Sequence, residues 1–134
     1  MAIYEIHQIN LTDRQIDEVN TPGTELPEFF KKYTRTTFAP EASAIYDAID
    51  MYGHVANITA ENLNAVFHIG NMGPEENIDR FDRMHSLSVG DIIVDTTDGA
   101  THYVDSTGFG RLFTNHFSTG PEGIGRDEDF LNVA

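Results

Sequence analysis

The second half of the chain carries the most regular pattern of apolar and polar positions. Residues 92–94 form the apolar run Ile-Ile-Val, and this continuity predicts a strand that is buried on both faces. Asp98-Gly99 follows at the spacing of a hairpin turn, and the segments 101–105 and 109–113 hold further apolar residues. The pattern predicts a three-stranded antiparallel meander, which begins after a tight turn at residues 88–91.

The first fifty residues predict one strand and three helical segments. Residues 3–9 are rich in β-branched and aromatic side chains, as expected of a strand. Thr12 and Gln15 have the spacing of a capping box, which predicts a short surface helix. Residues 24–40 suit one or two helical turns, and apolar spacing predicts a further helix over residues 40–50.

The middle of the chain predicts a strand, a capped helix and an acidic turn. Residues 51–58 read as a strand, and Thr59 is expected to cap the helix that follows. This helix is expected to end at Gly70, because glycine favours the position just after a helix C-terminus. After the Gly73-Pro74 break, residues 75–83 predict one more helical turn with several carboxylates on one face.

These segments together predict an α+β fold. Five strands and three or four helices would form an antiparallel sheet or a small open barrel. A chain of 134 residues is long enough for one modest core, so we expect a single domain over residues 1–113. Residues 114–134 read as a loop and a mobile acidic tail. The sequence has no Cys, which excludes disulfides, thiolate zinc sites and thiol nucleophiles.

Net charge is the most unusual property of the composition. There are 22 Asp and Glu against 8 Lys and Arg, giving a formal net charge of −14. Residues 1–70 contain ten acids and four bases, and residues 71–134 contain twelve and four, so both halves are acidic. Such a field repels nucleic acid and anionic membranes and attracts basic proteins. A solvated surface that maintains solubility, or a halophilic surface, would have the same composition.

The N-terminal sequence predicts residence in the cytoplasm. MAIYEIHQIN has neither the basic start nor the apolar run of a signal peptide. No stretch of the chain approaches the ~18 apolar residues that a membrane span requires. We therefore expect no membrane association; for a viral protein the compartment would be the host cytoplasm.

Three segments within residues 52–112 carry a recognisable pattern: LNAVFHIGN, HSLSVGDII and YVDSTGF. This pattern resembles that of the YodL-like domain proteins of phages, plasmids and conjugative elements. The matching residues are Leu63, Val66, Phe67, Gly70, Asn71, His85, Ser86, Ser88, Val89, Gly90, Asp91, Ile93, Tyr103, Val104, Asp105, Ser106, Gly108 and Phe109. The resemblance implies an accessory protein of a mobile element, and it supplies no catalytic residues.

Acidic side chains of the second half form the predicted partner-binding surface. The predicted residues are Glu75, Asp79, Asp91, Asp95 and Asp105, with Tyr103 and Phe109 as anchors if they are exposed. Alternate carboxylates on a strand lie ~6.6 Å apart, close to the phosphate spacing of one DNA strand. With Asp82 and Asp98, these acids would form a row that mimics DNA, although Arg80 and Arg83 neutralise part of it.

Aromatic residues are concentrated in the first half. Six of them fall between residues 29 and 52: Phe29, Phe30, Tyr33, Phe38, Tyr46 and Tyr52. Most should lie in the core, and an exposed subset would mark a second partner surface.

His85, Asp91 and His102 form the alternative site. Imidazoles and a carboxylate from adjacent strands would bind a divalent ion or perform acid–base chemistry. The competing interpretation is structural: Asp91 and Ser88 would satisfy N–H groups of the turn, and both histidines would pack at the surface of the core. No Walker loop, GxSxG or HExxH motif is present.

The sequence therefore favours a non-enzymatic interaction module without a cofactor. Its expected partner is a basic host protein, such as a nucleic-acid-binding one, reached through an acidic face and an aromatic patch. An exposed hairpin edge would also permit a homodimer. The alternative function is a small enzyme or a ligand- or metal-binding module that uses the two histidines and Asp91.

Overall fold

The computed structural model describes residues 1–23, 25–38, 40–114 and 116–117. Within these ranges the chain forms six strands and four helices, which confirms the predicted α+β fold. In chain order they are β1 (Ala2–Ile9), α1 (Asp13–Asn20), α2 (Glu28–Phe38), α3 (Ala42–Asp47), β2 (Tyr52–Ala60), α4 (Leu63–Met72), β3 (Ile78–Arg80), β4 (Ile92–Asp95), β5 (Thr101–Val104) and β6 (Phe109–Leu112). Short 3₁₀ turns at Ile49–Met51 and Glu75–Asn77 precede β2 and β3.

The strands form one open antiparallel sheet in the order β3-β2-β1-β4-β5-β6. The first strand of the chain is therefore central, and it pairs with β2 from Ala2↔Ala60 to Ile9↔Tyr52. Its other edge pairs with β4. Every residue from Tyr4 to Ile9 is buried, as expected for a strand covered on both faces. The meander β4-β5-β6 has the predicted connections.

Two hydrophobic clusters lie on opposite faces of the sheet, because successive residues of a strand point to opposite sides. On one face, Val66 and Ile69 of α4 pack with Tyr4, Ile6, Ile58, Leu87 and Ile93. On the other, Ile45 of α3 packs with Ile92, Val94, Tyr103, Leu112 and Phe117. Full burial of six such side chains stabilises the fold by roughly 10 kcal/mol before the entropy of folding is subtracted.

The body of the protein extends beyond the predicted boundary at residue 113. Phe117 is 2 % exposed and belongs to the core cluster on the α3 face. The predicted loop and tail from residue 114 therefore include a residue that packs into the core, and the mobility of this segment stays a prediction. The rest of that prediction, residues 118–134, lies outside the described residues.

Helix α4 begins and ends about three residues later than predicted. Its N-cap is Asn62, whose Oδ1 accepts a hydrogen bond from Ala65 N at 2.8 Å, and Gly73 at φ +89° follows its end. Thr59 and Ala60 instead complete β2, where they pair with β1. Gly70 lies inside the helix, where a Cβ would come within 2.5 Å of Leu87.

The acidic segment 75–83 is not the predicted helical turn. Its 3₁₀ turn, Glu75–Asn77, leads directly into β3, which pairs with β2 from Ala56↔Arg80 to Ile58↔Ile78. Pairing to an otherwise open edge of β2 stabilises the extended conformation more than side-chain spacing stabilises a short helix.

The capping box at the start of α1 is present as predicted. Gln15 N donates to Thr12 Oγ1 at 3.1 Å, and Thr12 N donates to Gln15 Oε1 at 2.8 Å. No residue of α1 is buried, so its stability depends on such local bonds.

Thr12→Ala is expected to cost the helix about 1 kcal/mol, which would raise amide hydrogen exchange within α1 about fivefold. Ser43→Ala, in α3, is the control and should leave exchange in α1 unchanged.

Candidate functional site

One end of the sheet gathers carboxylates from distant parts of the sequence. β1 begins at this end, and β2 and β4 end there because both run antiparallel to β1. The turn before β3 and the β4–β5 hairpin lie at the same end. We call the five acidic side chains there the acidic rim: Glu61, Glu75, Glu76, Asp95 and Asp98. All are exposed except Asp95, which is half-buried.

Among the described residues, most of the rim carboxylates have no Lys or Arg partner. Glu75 is the exception: the Arg80 guanidinium forms two contacts with its carboxylate, and this hydrogen bonding lowers the pKa of Glu75. Within the described residues, Asp95 and Asp98 accept hydrogen bonds from backbone N–H groups of their own hairpin, at 2.9 and 2.8 Å. In the described part of the chain, no Lys or Arg forms an ion pair with any of these four rim residues: Glu61, Glu76, Asp95 and Asp98. β3 and β4 are three strand spacings apart, so this negative surface extends over about 14 Å.

Exposed apolar side chains lie beside the acidic rim. Ile3, near the start of β1, is 47 % exposed, and Phe113, which follows β6, is 66 % exposed. The pairing of Leu112 with Thr101 places Phe113 at the rim end of the sheet. The Arg111 guanidinium lies 5.1 Å from the Phe113 ring centre, and Phe113 N donates to Tyr46 Oη at 2.9 Å. These contacts hold an exposed aromatic ring next to the acids.

The structure divides the predicted acidic residues among four locations. Glu75 and Asp95 belong to the acidic rim. Asp79 is exposed on the edge strand β3. Asp105 follows β5 and therefore lies at the opposite end of the sheet from Asp95. Asp91 is buried and does not belong to the protein surface. The continuous row that DNA mimicry requires is therefore broken.

Neither predicted anchor is an exposed side chain. Tyr103 is only 9 % exposed and packs against the α3 face cluster. Phe109 is half-buried and packs against the α4 face cluster. Among the described residues, the exposed aromatic side chains are instead Phe38, Tyr46, Phe67, Phe81 and Phe113. Of the aromatic residues noted in the first half, Phe38 and Tyr46 are in this exposed subset.

Asp91 holds the turn before β4 together. Its Oδ2 accepts hydrogen bonds from Ser88 N and from Gln8 Nε2, both at 3.0 Å. Burial raises the pKa of Asp91 to about 6, against the opposing effects of these donors and of His85. The contacts match the structural interpretation of Asp91 and Ser88 rather than the partner-binding one.

His85, Asp91 and His102 do not converge. His85 Nδ1 lies 4.0 Å from Asp91 Oδ2. Among the residues that the structure describes, no hydrogen bond or ion pair joins His102 to either of them. Burial, followed by the nearby Arg111 charge, lowers the pKa of His102. The geometry therefore does not support a shared metal or catalytic site for these three residues.

A different group brings metal-binding side chains together. Ligand atoms of Glu5, His7 and His54 all lie within 4.8 Å of one another. Glu5 Oε1 is 3.1 Å from His7 Nε2, and the centres of the two imidazole rings are 4.8 Å apart. Glu5 and His7 are about 5 % exposed, and burial lowers the pKa of His7. Sequence reasoning missed this group, although residues 5 and 7 share one face of a predicted strand.

The comparisons with known proteins leave the chain without an assigned family. No protein-family model, curated protein or solved structure matches it. No helix within the described ranges has the length and apolar character that crossing a bilayer requires.

Proposed function

We propose that the protein is a non-enzymatic interaction module that binds a basic protein through the acidic rim. The observation that carries this proposal is the collection of five carboxylates at one end of the sheet, of which only Glu75 is paired with an Arg in the described part of the chain. Such a local excess attracts a positively charged surface and accelerates association.

Ile3 and Phe113 give the proposed surface its apolar contacts. Interfaces combine charged rims with a few buried aromatic or aliphatic anchors, and the anchors contribute most of the affinity. Both side chains are exposed beside the acids, so they can become buried when the partner binds. Charge would then set the association rate, and these two side chains would slow dissociation.

The partner class follows from charge and from the sequence resemblance. The net charge of −14 disfavours direct binding to nucleic acid and favours a basic protein. The likeness of residues 52–112 to YodL-like proteins of mobile elements supports a protein of the host cell. A host protein that binds nucleic acid would be both basic and present in the host cell.

Charge reversal at the rim tests the proposal. The variant Glu61→Lys/Glu76→Lys changes two exposed side chains that make no hydrogen bond or ion pair within the described residues. A host protein captured by the wild-type chain at low salt is purified, and its association rate is measured by surface plasmon resonance. We expect this variant to associate at least about tenfold more slowly at ~0.05 M salt. The difference should shrink as added salt shortens the Debye length.

Asp17→Lys/Glu18→Lys is the matched control. It changes the net charge by the same amount, but α1 follows Ile9 and therefore lies near the opposite end of the sheet. Its association rate should stay within about twofold of the wild type if the rim itself attracts the partner. Equal slowing by both variants would show that only overall charge matters, and no slowing by either would reject the proposal.

A further inference from the structure

We infer that Glu5, His7 and His54 bind a divalent transition-metal ion, with Zn²⁺ as the ion that suits them best. The set contains two imidazoles and one carboxylate whose ligand atoms already lie within 4.8 Å of one another. This site is on the face of the sheet that carries α3, separate from the acidic rim. It gives the protein a ligand that the proposed interaction function does not require.

The composition of the site favours Zn²⁺ over Mg²⁺ or Ca²⁺. Zn²⁺ takes imidazole nitrogen at about 2.0–2.1 Å and carboxylate oxygen at about 2.0–2.2 Å, usually in a tetrahedron. Ligand atoms around such an ion are about 3.3 Å apart, and Glu5 Oε1 and His7 Nε2 are already 3.1 Å apart. The half-buried His54 ring stacks on His7 with an interplanar angle of 18°, so a change in its side-chain torsions has to turn it and bring it closer to the other two ligands. Water would take the fourth position.

An irregularity in the pairing of β1 with β2 creates the site. Ile6 lies opposite Ala56 and His7 lies opposite His54, so Val55 is an extra residue on β2. In a regular ladder His7 would face Val55, and His54 would point to the other side of the sheet. The bulge therefore turns His54 to the face that already carries Glu5 and His7. Bulges that redirect a side chain are enriched at functional sites.

The surroundings of the site resemble the outer layer of a metal centre. Asn57 Oδ1 lies 2.7 Å from His54 Nε2 and accepts a hydrogen bond from the Nε2–H tautomer, in which the Nδ1 lone pair is available to an ion. The Phe117 ring packs edge-on against His7 at 5.2 Å, and Phe81 packs against His54 at 5.1 Å. These rings limit access of water. A buried carboxylate and two imidazoles cost more desolvation free energy than apolar residues would, so packing alone does not favour them.

Metal binding would replace a hydrogen bond that the site already contains. In the metal-free protein His7 Nε2–H donates to the Glu5 carboxylate. An ion that bonds both atoms replaces this hydrogen bond, and the neutral imidazole then carries its proton on Nδ1, so no net proton is released. The ion bonds β1 to β2, so its binding should also stabilise the fold.

The experiment uses tag-free, full-length protein treated with a chelator and titrated with Zn²⁺ by isothermal calorimetry. We expect one Zn²⁺ per chain, a higher Tm in its presence, and no comparable binding of Mg²⁺, which requires oxygen ligands. His54→Ala should weaken Zn²⁺ binding at least 100-fold, and Asn57→Ala about tenfold. His68→Ala removes an exposed imidazole on α4 and should bind like the wild type.

Circular dichroism confirms that each variant is folded before titration. His54 is the preferred position for substitution because it is half-buried, whereas His7 is buried and its replacement would disturb the core. The inference is overturned if the wild type takes up no stoichiometric Zn²⁺. It is also overturned if folded His54→Ala and Glu5→Gln both retain wild-type affinity.

Discussion

Gly90→Ala is expected to lower the free energy of unfolding by about 2–5 kcal/mol, a large fraction of the stability of a domain of this size. Gly90 occupies the third position of the turn from Ser88 to Asp91 with φ +93°, a conformation that costs an L-residue about 1–2 kcal/mol. An added Cβ would also lie 2.5 Å from Thr36 O. Because that oxygen belongs to the backbone of α2, the helix would have to move, at a further cost of about 1–3 kcal/mol.

Two other glycines separate the contributions of strain and crowding. Gly99 has φ +74° but no atom within 4 Å of an added Cβ, so Gly99→Ala should cost only the strain. Gly53 has no positive φ and no atom within 4 Å of an added Cβ. Gly53→Ala should therefore be neutral or slightly stabilising, because alanine restricts the unfolded chain. Urea denaturation measures all three free energies of unfolding. If Gly90→Ala were no more destabilising than Gly99→Ala, the close packing of the turn against α2 would be refuted.

Between pH 4 and pH 7 the wild type is expected to lose about 2–3 kcal/mol of stability relative to Asp91→Asn. Burial raises the pKa of Asp91 to about 6, whereas an unfolded Asp titrates near 3.9. In this range the folded state binds more protons than the unfolded state, so stability falls as the pH rises. The stabilisation is fully present below about pH 4 and is lost as Asp91 ionises around pH 6. The Asn variant lacks this titration.

Denaturation at a series of pH values measures the effect as a difference between the two proteins. Subtracting the curve of Asp91→Asn removes the contributions of other titrating groups. Gly53→Ala, which removes no titratable group, should differ from the wild type by the same amount at every pH. A pH-independent difference for Asp91→Asn as well would contradict the buried position of the carboxylate.

Caps and turns, whose hydrogen bonds join residues that are close in the sequence, could be predicted from the sequence. The capping box joins residues 12 and 15, and the turn before β4 joins residues 88 and 91. In the Asp98-Gly99 hairpin, Gly99 N donates to Asp95 O at 2.8 Å. In each case the residues that form the bond lie within four positions, so side-chain type and backbone preference determine the result.

Pairing between distant strands explains the predictions that were wrong. Ala60 pairs with Ala2, which extends β2 into the predicted start of a helix. Ile78 pairs with Ile58, which makes part of the acidic segment a strand. Local spacing is compatible with a helix in both places. The hydrogen bonds of the sheet depend on partners that local spacing does not identify.

Both candidate sites depend on this long-range organisation. Glu75 and Asp95 were predicted as partner-binding residues, but their common location follows from the strand order, which also brings Glu61 and Glu76 to the rim. Residues 5 and 7 share a strand face, and this alternation could have been recognised in the sequence. The contribution of His54 could not, because it depends on the extra residue in β2.

The central position of β1 has a consequence for synthesis on the ribosome. This strand emerges before both of its partners, and Tyr4 pairs with Asp95, whose codon is translated some ninety residues later. At roughly 5–20 residues per second, translation leaves an apolar segment without its second neighbour for on the order of 5–20 seconds. During that interval the unpaired strand of the nascent chain can aggregate or bind a chaperone. Translation speed across residues 60–95 should therefore influence the yield of native protein more than codon usage in the last third does.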